Sequence, residues 1–131
     1  MEPQPLTEEQ VVRGGGWDLS YAEVLKLDVR GDVAFARIDT NGNRQEIEDT
    51  FYIWDGDRWL ELGSNGWGTS GSAGWASGEA PGSHDVTLDF GGQRFVVPVD
   101  ENGEWWFVGR ASSSSGEWPD IPHLVVSDER A

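Results

Sequence analysis

The chain has 131 residues and no cysteine, which excludes disulfide bonds and thiolate metal sites. Its 24 acidic and 9 basic side chains give a formal net charge of −15. A field of that sign repels nucleic-acid phosphates and anionic membrane surfaces, so we expect neither a nucleic-acid nor a membrane partner. No apolar run approaches the length of a membrane span, and the first residues lack a signal-peptide pattern. A cytoplasmic protein is therefore expected, with a mature secreted form as the alternative.

The length favours a single domain over residues 1–131. Residues 1–6 are expected to form a disordered lead, followed by a short helix over 8–13. Thr7 has a side chain that suits the N-cap, and Gln10 follows three residues later, which is the spacing of a capping box. The sequence therefore predicts one short helix at the start of the chain.

Residues 24–62 alternate between apolar and polar side chains, which is the pattern of half-buried strands. Asn41-Gly42 is a strong hairpin signal, and Gly31-Asp32 and Asp55-Gly56-Asp57 are also typical of turns. The sequence predicts an antiparallel meander of about four strands here.

Glycine and serine dominate residues 63–83, which predicts an irregular connection with room for a short strand at 74–78. Alternation returns at 84–99, as a hairpin, and at 104–110, as a further strand. Residues 111–131 are expected to form an extended tail. Seven to eight short strands in all predict an all-β fold, an antiparallel β-sandwich with a short N-terminal helix, or alternatively a small barrel.

Residues 80–108 contain a turn, an alternating strand, Gly91-Gly92, a strand that ends in Pro98-Val99, and a final aromatic strand. This order resembles the hairpins of bacterial immunoglobulin-like β-sandwich domains. The resemblance implies a fold and no chemistry, because such sandwiches host many functions. The Cys…Trp…Cys signature of antibody domains is absent.

One face of the strand over 45–54 combines carboxylates with aromatic rings. By alternation it carries the side chains of Glu46, Glu48, Thr50, Tyr52 and Trp54. Tyr52 and Trp54 could stack a sugar ring beside the two carboxylates. Such alternation is equally typical of a solvated strand face, so both interpretations stay open, and catalysis by the carboxylate pair is the least favoured.

Asp49 falls on the opposite, apolar face of the same strand, where a lone carboxylate is unfavourable. It could pair with Arg37 on the neighbouring strand, or a bulge could turn it outward. A functional carboxylate is the third alternative.

Eight tryptophans are an unusual number for this length. Trp105 alternates with Phe107 and is expected in the core. Trp67, Trp75 and Trp118 lie in Gly-rich or Ser-rich sequence, where aromatic side chains are typical of recognition surfaces. The alternative is that these three rings close the ends of the sandwich as hydrophobic plugs.

Several short motifs favour a structural interpretation. Residues 66–71 match G-x-G-x-x-G without the helix that a dinucleotide site needs, so no cofactor is predicted. Residues 39–43 and 55–57 resemble calcium loops but lie where hairpin turns are required, so no metal site is predicted. The two histidines, His84 and His123, have no partner at metal-ligand spacing.

The sequence therefore predicts a non-catalytic binding domain rather than an enzyme. The first hypothesis is a protein partner, possibly basic, recognised by exposed aromatic side chains and the acidic surface, as by an acidic immunity protein that neutralises a toxin. The alternatives are a carbohydrate-binding module, which would bind an oligosaccharide on its tryptophans, and a structural accessory domain. The candidate binding residues are Tyr52, Trp54, Trp67, Trp75, Trp118, Glu46 and Glu48.

Overall fold

A computed structural model describes residues 4–64, 66–70, 73–110 and 122–125. The fold is all-β and antiparallel with one short helix among these residues, as predicted. The chain divides into two compact units, Met1–Asn65 and Gly66–Ala131. The single domain over 1–131 stays a prediction.

The first unit contains helix α1 (Glu8–Gly14) and a four-stranded sheet. Its strands follow one another in chain order, each antiparallel to the next, which confirms the predicted meander. The strands are β1 (Glu23–Arg30), β2 (Val33–Asp39), β3 (Ile47–Trp54) and β4 (Trp59–Ser64).

Helix α1 begins with the predicted capping box. The backbone N–H of Gln10 donates to Thr7 Oγ1 at 3.2 Å, and the Thr7 N–H donates to Gln10 Oε1 at 2.9 Å. These two bonds satisfy donors that the first helical turn leaves without intrahelical acceptors. The capped helix places Val11 in the same buried cluster as Leu6, which precedes the cap.

Both faces of β3 are buried over residues 50–54, which corrects the predicted division into an apolar and a solvated face. Thr50, Tyr52 and Trp54 are buried on one side, and Phe51 and Ile53 on the other. The first side is buried because Tyr52 shares a core cluster with the N-terminal segment, α1 and β2, namely Leu6, Val11, Ala34, Ala36 and Ile38. Strand periodicity alone does not show that a helix covers a polar-looking face.

Asp39 organises the loop between β2 and β3. Its carboxylate is buried and accepts hydrogen bonds from four consecutive backbone N–H groups, those of Asn41 (3.4 Å), Gly42 (2.9 Å), Asn43 (3.2 Å) and Arg44 (2.6 Å). Burial by itself raises the pKa of Asp39, but these hydrogen bonds together outweigh it, so the pKa lies below its usual value. The carboxylate therefore has a structural role in the turn.

The second unit contains two three-stranded sheets, β5-β6-β9 and β10-β7-β8. Side chains from both sheets share one core cluster, as in a small β-sandwich. The strands are β5 (Gly68–Ser70), β6 (Ala73–Glu79), β7 (Asp85–Phe90), β8 (Gln93–Pro98), β9 (Glu104–Arg110) and β10 (His123–Leu124). The strand count among the described residues exceeds the predicted seven to eight, because β5 and β10 were not predicted, whereas β6 corresponds to the short strand expected at 74–78.

The glycines of that stretch make room for aromatic rings. A Cβ at Gly68 would lie 2.3 Å from the Trp75 ring, and a Cβ at Gly74 would lie 2.6 Å from the Phe90 ring. Both distances are far shorter than van der Waals contact. Composition suggested a flexible connection over 63–83, whereas the glycines here permit close packing of strands and rings.

The hairpin formed by β7 and β8 agrees with its prediction. Gly91 and Gly92 have φ angles of 61° and 79°, as a two-residue type I′ turn requires. Leu88 and Phe90 are buried in the core cluster, and Trp105 of β9 joins them as expected. The predicted tail over 111–131 lies outside the described residues except for 122–125.

Candidate functional site

A cleft of about 360 Å³ opens in the first unit between the N-terminal segment, α1 and the β3–β4 hairpin. Aromatic rings and polar side chains both line it. We call it the aromatic–carboxylate cleft; the lining side chains that matter for its chemistry are Gln4, Gln10, Tyr52, Trp54, Asp57, Arg58, Trp59 and Glu61.

The register of the β3–β4 hairpin brings the main side chains together. Tyr52 lies directly opposite Glu61, and Trp54 lies directly opposite Trp59. Asp55 closes the connecting turn, because its carboxylate accepts the backbone N–H groups of Asp57 and Arg58 at 2.8 Å each. The turn that the sequence predicted therefore sets which aromatic and acidic side chains share one face.

Two tryptophans form the aromatic wall. The rings of Trp54 and Trp59 meet edge to face, with centroids 5.5 Å apart and planes at 69°. The indole nitrogen of Trp59 donates to the Gln4 carbonyl at 2.7 Å, which holds the N-terminal segment against β4. Trp54 is buried, and its indole nitrogen has no hydrogen-bond acceptor among the described residues. A ligand could supply that acceptor only if neighbouring side chains move, because the nitrogen is closed to solvent.

The acidic side of the cleft disfavours the ionised form of its carboxylate. Glu61 is an exposed residue as a whole, but the partial burial of its carboxyl group raises the pKa of that group. Repulsion from Glu48 raises the pKa further. Within the described part of the chain, neither carboxylate forms an ion pair with a basic side chain. The two negative charges therefore repel each other, and no basic side chain of the described residues is paired with either one.

Tyr52 is held in its protonated form. Burial raises its pKa to about 12, and the nearby Glu61 and Glu48 charges add to the shift, although a hydrogen bond with Thr50 opposes it. The Thr50 hydroxyl donates to the Tyr52 oxygen at 3.0 Å. At neutral pH the phenol is therefore uncharged and acts as a hydrogen-bonding group and an apolar wall.

Two of the predicted binding residues, Tyr52 and Trp54, line this cleft. Glu48 is not among the lining residues, although its charge raises the pKa of Glu61. Trp54 lacks the exposure that the sugar-stacking interpretation requires, because only 6% of its surface is accessible. Trp54 therefore forms a wall of the cleft and does not offer an open stacking platform.

The other predicted binding residues lie elsewhere. Glu46 belongs to the β2–β3 loop, where its carboxylate accepts a hydrogen bond from the Asn41 amide. In the second unit, Trp67 is half-buried and packs edge-on against Trp105, with centroids 5.7 Å apart. Trp75 is buried, which agrees with the plug alternative and not with a recognition surface. The structure favours the plug interpretation for these two rings.

Trp118 lies outside the described residues, so its predicted contact stays a prediction. Asp49, whose role the sequence left open, is paired with Arg37 across the β2–β3 ladder, with Nε to Oδ1 at 2.8 Å. Within the described residues, no cluster of three or more side chains is arranged to hold a metal ion.

Trp59 and Glu61 are the most important of the site residues that the sequence analysis did not select. A usable signal was present: a short turn at Asp55-Gly56-Asp57 pairs the strand that ends at Trp54 with the strand that starts at Trp59. Their partners were already candidates, so applying the hairpin register would have added both residues.

No family model matches the chain, and no curated protein or solved structure is significantly similar to it. The resemblance of residues 80–108 to immunoglobulin-like domains stays a prediction. None of the helices that the structure describes has the length and apolar character needed to cross a membrane.

Proposed function

We propose that the protein is a non-catalytic binding domain that recognises a basic protein partner through the aromatic–carboxylate cleft. The observation that carries the proposal is the position of Glu61 in this cleft: it lies on the same face of β4 as Trp59 and forms no ion pair with a basic side chain of the described residues. The negative charge of Glu48 repels this carboxylate. A positive group from a partner would relieve their repulsion and gain from the neighbouring rings.

The charge of the first unit supports a basic partner. Residues 1–65 carry 14 acidic and 6 basic side chains, a formal net charge of −8. This field would draw a basic surface toward the cleft and raise the association rate, and the attraction would weaken as salt screens it.

A carbohydrate ligand is less well supported by the same side chains. Sugar rings stack on open aromatic faces, whereas Trp54 is buried and meets Trp59 edge to face. Only Trp59 retains a partly open ring in the wall. Oligosaccharide binding is therefore the competing outcome of the test.

The test is a titration of the full chain, followed by tryptophan fluorescence, with a basic peptide, an acidic peptide and a mixture of oligosaccharides. Of these ligands, we expect only the basic peptide to bind, and its affinity should fall by about tenfold or more between about 50 and about 500 mM salt. Saturable oligosaccharide binding that is insensitive to salt would overturn the proposal, and so would no binding of the basic peptide.

Two charge-matched variants locate the binding. Glu61→Gln removes one negative charge from the cleft, and Glu23→Gln removes one from the exposed start of β1. We expect the first to weaken binding of the basic peptide by about tenfold, or about 1.4 kcal/mol, and the second to have little effect. Equal losses would mean that binding follows net charge alone and would exclude the cleft.

A further inference from the structure

We infer that the cationic group that fits the aromatic–carboxylate cleft is the guanidinium of an arginine residue, in preference to a lysine ammonium. This inference rests on the proposed function and specifies its ligand. It depends on the spacing of ring and carboxylate on β4, on a similar arrangement elsewhere in the same sheet, and on the indole donor of Trp54.

Trp59 and Glu61 are two residues apart on β4, so their side chains leave the same face of the strand. A ring and a carboxylate side by side suit a planar cation, whose face can lie on the ring while its edge donates to the carboxylate. An ammonium group has no plane to align and gains less from the same pair.

The sheet already holds one arginine in such an arrangement. The guanidinium carbon of Arg37 lies 5.7 Å from the centroid of the Phe35 ring, and the same group is bonded to the Asp49 carboxylate. A guanidinium between a ring and a carboxylate is therefore sterically compatible with the spacing of this sheet.

The position of Glu61 in a cleft also favours arginine. A cation that enters the cleft to pair with this carboxylate must give up part of its hydration, and a guanidinium is more weakly hydrated than an ammonium. The loss of water therefore opposes lysine more than arginine.

The indole nitrogen of Trp54 adds a second requirement. It is a buried donor in a side chain that lines the cleft, and no described residue accepts its hydrogen bond. Because this nitrogen is closed to solvent, an acceptor reaches it only if neighbouring side chains move as the ligand binds, and a ligand that does so must carry the acceptor close to its cation. A peptide arginine does so, because its own backbone carbonyl accompanies the guanidinium.

The inference is tested with three peptides of one glycine–serine background that differ at a single central residue: arginine, lysine or citrulline. Citrulline has nearly the shape of arginine without its charge. Binding to the full chain is followed by calorimetry and by the NMR shift of the indole N–H groups, with Trp54→Phe used to assign the Trp54 signal. We expect the arginine peptide to bind at least about fivefold more tightly than the lysine peptide, and the citrulline peptide to show no binding.

A downfield shift of the Trp54 indole proton is expected with arginine. Glu61→Gln should remove the preference for arginine over lysine, whereas Glu23→Gln should keep it. If arginine and lysine peptides bind equally well, the arginine inference fails and the proposed function stands. If neither basic peptide binds, or if citrulline binds as well as arginine, the proposed function itself fails.

Discussion

Arg37 and Asp49 lie directly opposite each other on β2 and β3 and form a two-point ion pair. Nε to Oδ1 is 2.8 Å and Nη2 to Oδ2 is 3.3 Å, so the guanidinium meets the carboxylate along its side. The pair explains how Asp49 can share a strand face with the buried Phe51 and Ile53. Of the alternatives that the sequence left open, pairing is the one that the structure contains.

We predict a measurable coupling between these two side chains. The pair is about a quarter exposed, at 27% and 19%, whereas the nearby Arg30–Asp28 pair on β1 is more open, at 38% and 31%. In a double-mutant cycle by urea denaturation, Arg37→Ala and Asp49→Ala should couple by about 1 kcal/mol. The same cycle at Arg30 and Asp28 should give a smaller value. Equal couplings would show that burial and two-point geometry add nothing.

Close packing between Gly74 and Phe90 leads to a second prediction. A Cβ at position 74 would meet the Phe90 ring at 2.6 Å, and both residues are buried. Gly74→Ala should therefore destabilise the protein by about 1–3 kcal/mol, the usual effect of overpacking a core. The measurement is the urea midpoint of the second unit, followed by its buried tryptophans.

Gly14 provides the matched control. A Cβ there meets nothing within 4 Å, and the residue ends α1 without a positive φ angle. Gly14→Ala should be neutral or stabilise by up to about 1 kcal/mol through helix propensity. If Gly74→Ala were equally well tolerated, the interpretation of the glycines as seats for aromatic rings would be wrong.

The sequence was enough to predict those caps and turns that depend only on residues close together in the chain. The capping box at Thr7 and Gln10 and the Gly91-Gly92 turn both satisfy requirements of the nearby backbone, so sequence spacing shows them directly. The β3–β4 turn at Asp55 belongs to the same class. Each depends on hydrogen bonds or φ angles that no distant residue needs to provide.

Features that depend on distant residues were missed. Tyr52 and Trp54 looked exposed because the strand pattern does not show that Leu6 and Val11 pack over that side of the sheet. Gly74 looked like part of a flexible connection because its ring neighbour, Phe90, comes sixteen positions later in the chain. The sequence analysis therefore selected the β3 side chains of the candidate site, and it did not select their partners on β4.

The Asp39 loop gives a third prediction, with a defined pH dependence. Because its hydrogen bonds hold the pKa of Asp39 below the usual 3.8, ionised Asp39 stabilises the fold above that value, and the stabilisation is lost as the pH falls through the lower folded pKa. Asp39→Asn should lower the free energy of unfolding at pH 7, and the difference from the parent should shrink below pH 3.8.

The control for Asp39 is Asp32→Asn, which removes an acidic side chain from the exposed turn between β1 and β2. It should leave the urea midpoint nearly unchanged at both pH values. A loss at Asp39 that is the same at acidic and neutral pH would contradict the role assigned to the ionised carboxylate, and would point to altered packing instead.

The fourth prediction concerns Glu61. Its pKa is raised in the folded protein, so its effect on stability depends on pH in the opposite direction to that of Asp39. The folded state holds the Glu61 proton more tightly than the unfolded chain does, so the free energy of unfolding falls as the pH rises through the window just above the ordinary value of 4.5. At neutral pH the ionised carboxylate therefore destabilises the fold, and Glu61→Gln should be more stable than the parent.

The gain at Glu61 should stay below about 1 kcal/mol, because the side chain is exposed and water screens its repulsion from Glu48. Urea denaturation of the parent, Glu61→Gln and Glu23→Gln between pH 4 and pH 8 measures this gain in the free energy of unfolding, and the advantage of Glu61→Gln should vanish at the acidic end.

Glu48→Gln should bring the pKa of Glu61 back toward 4.5, a shift that NMR titration of the carboxyl carbon reads directly. A basic peptide in the cleft should act in the same direction as Glu48→Gln, since it too offsets the repulsion that Glu61 experiences. If the peptide left the Glu61 titration unchanged while it bound, the cation would have to sit away from this carboxylate.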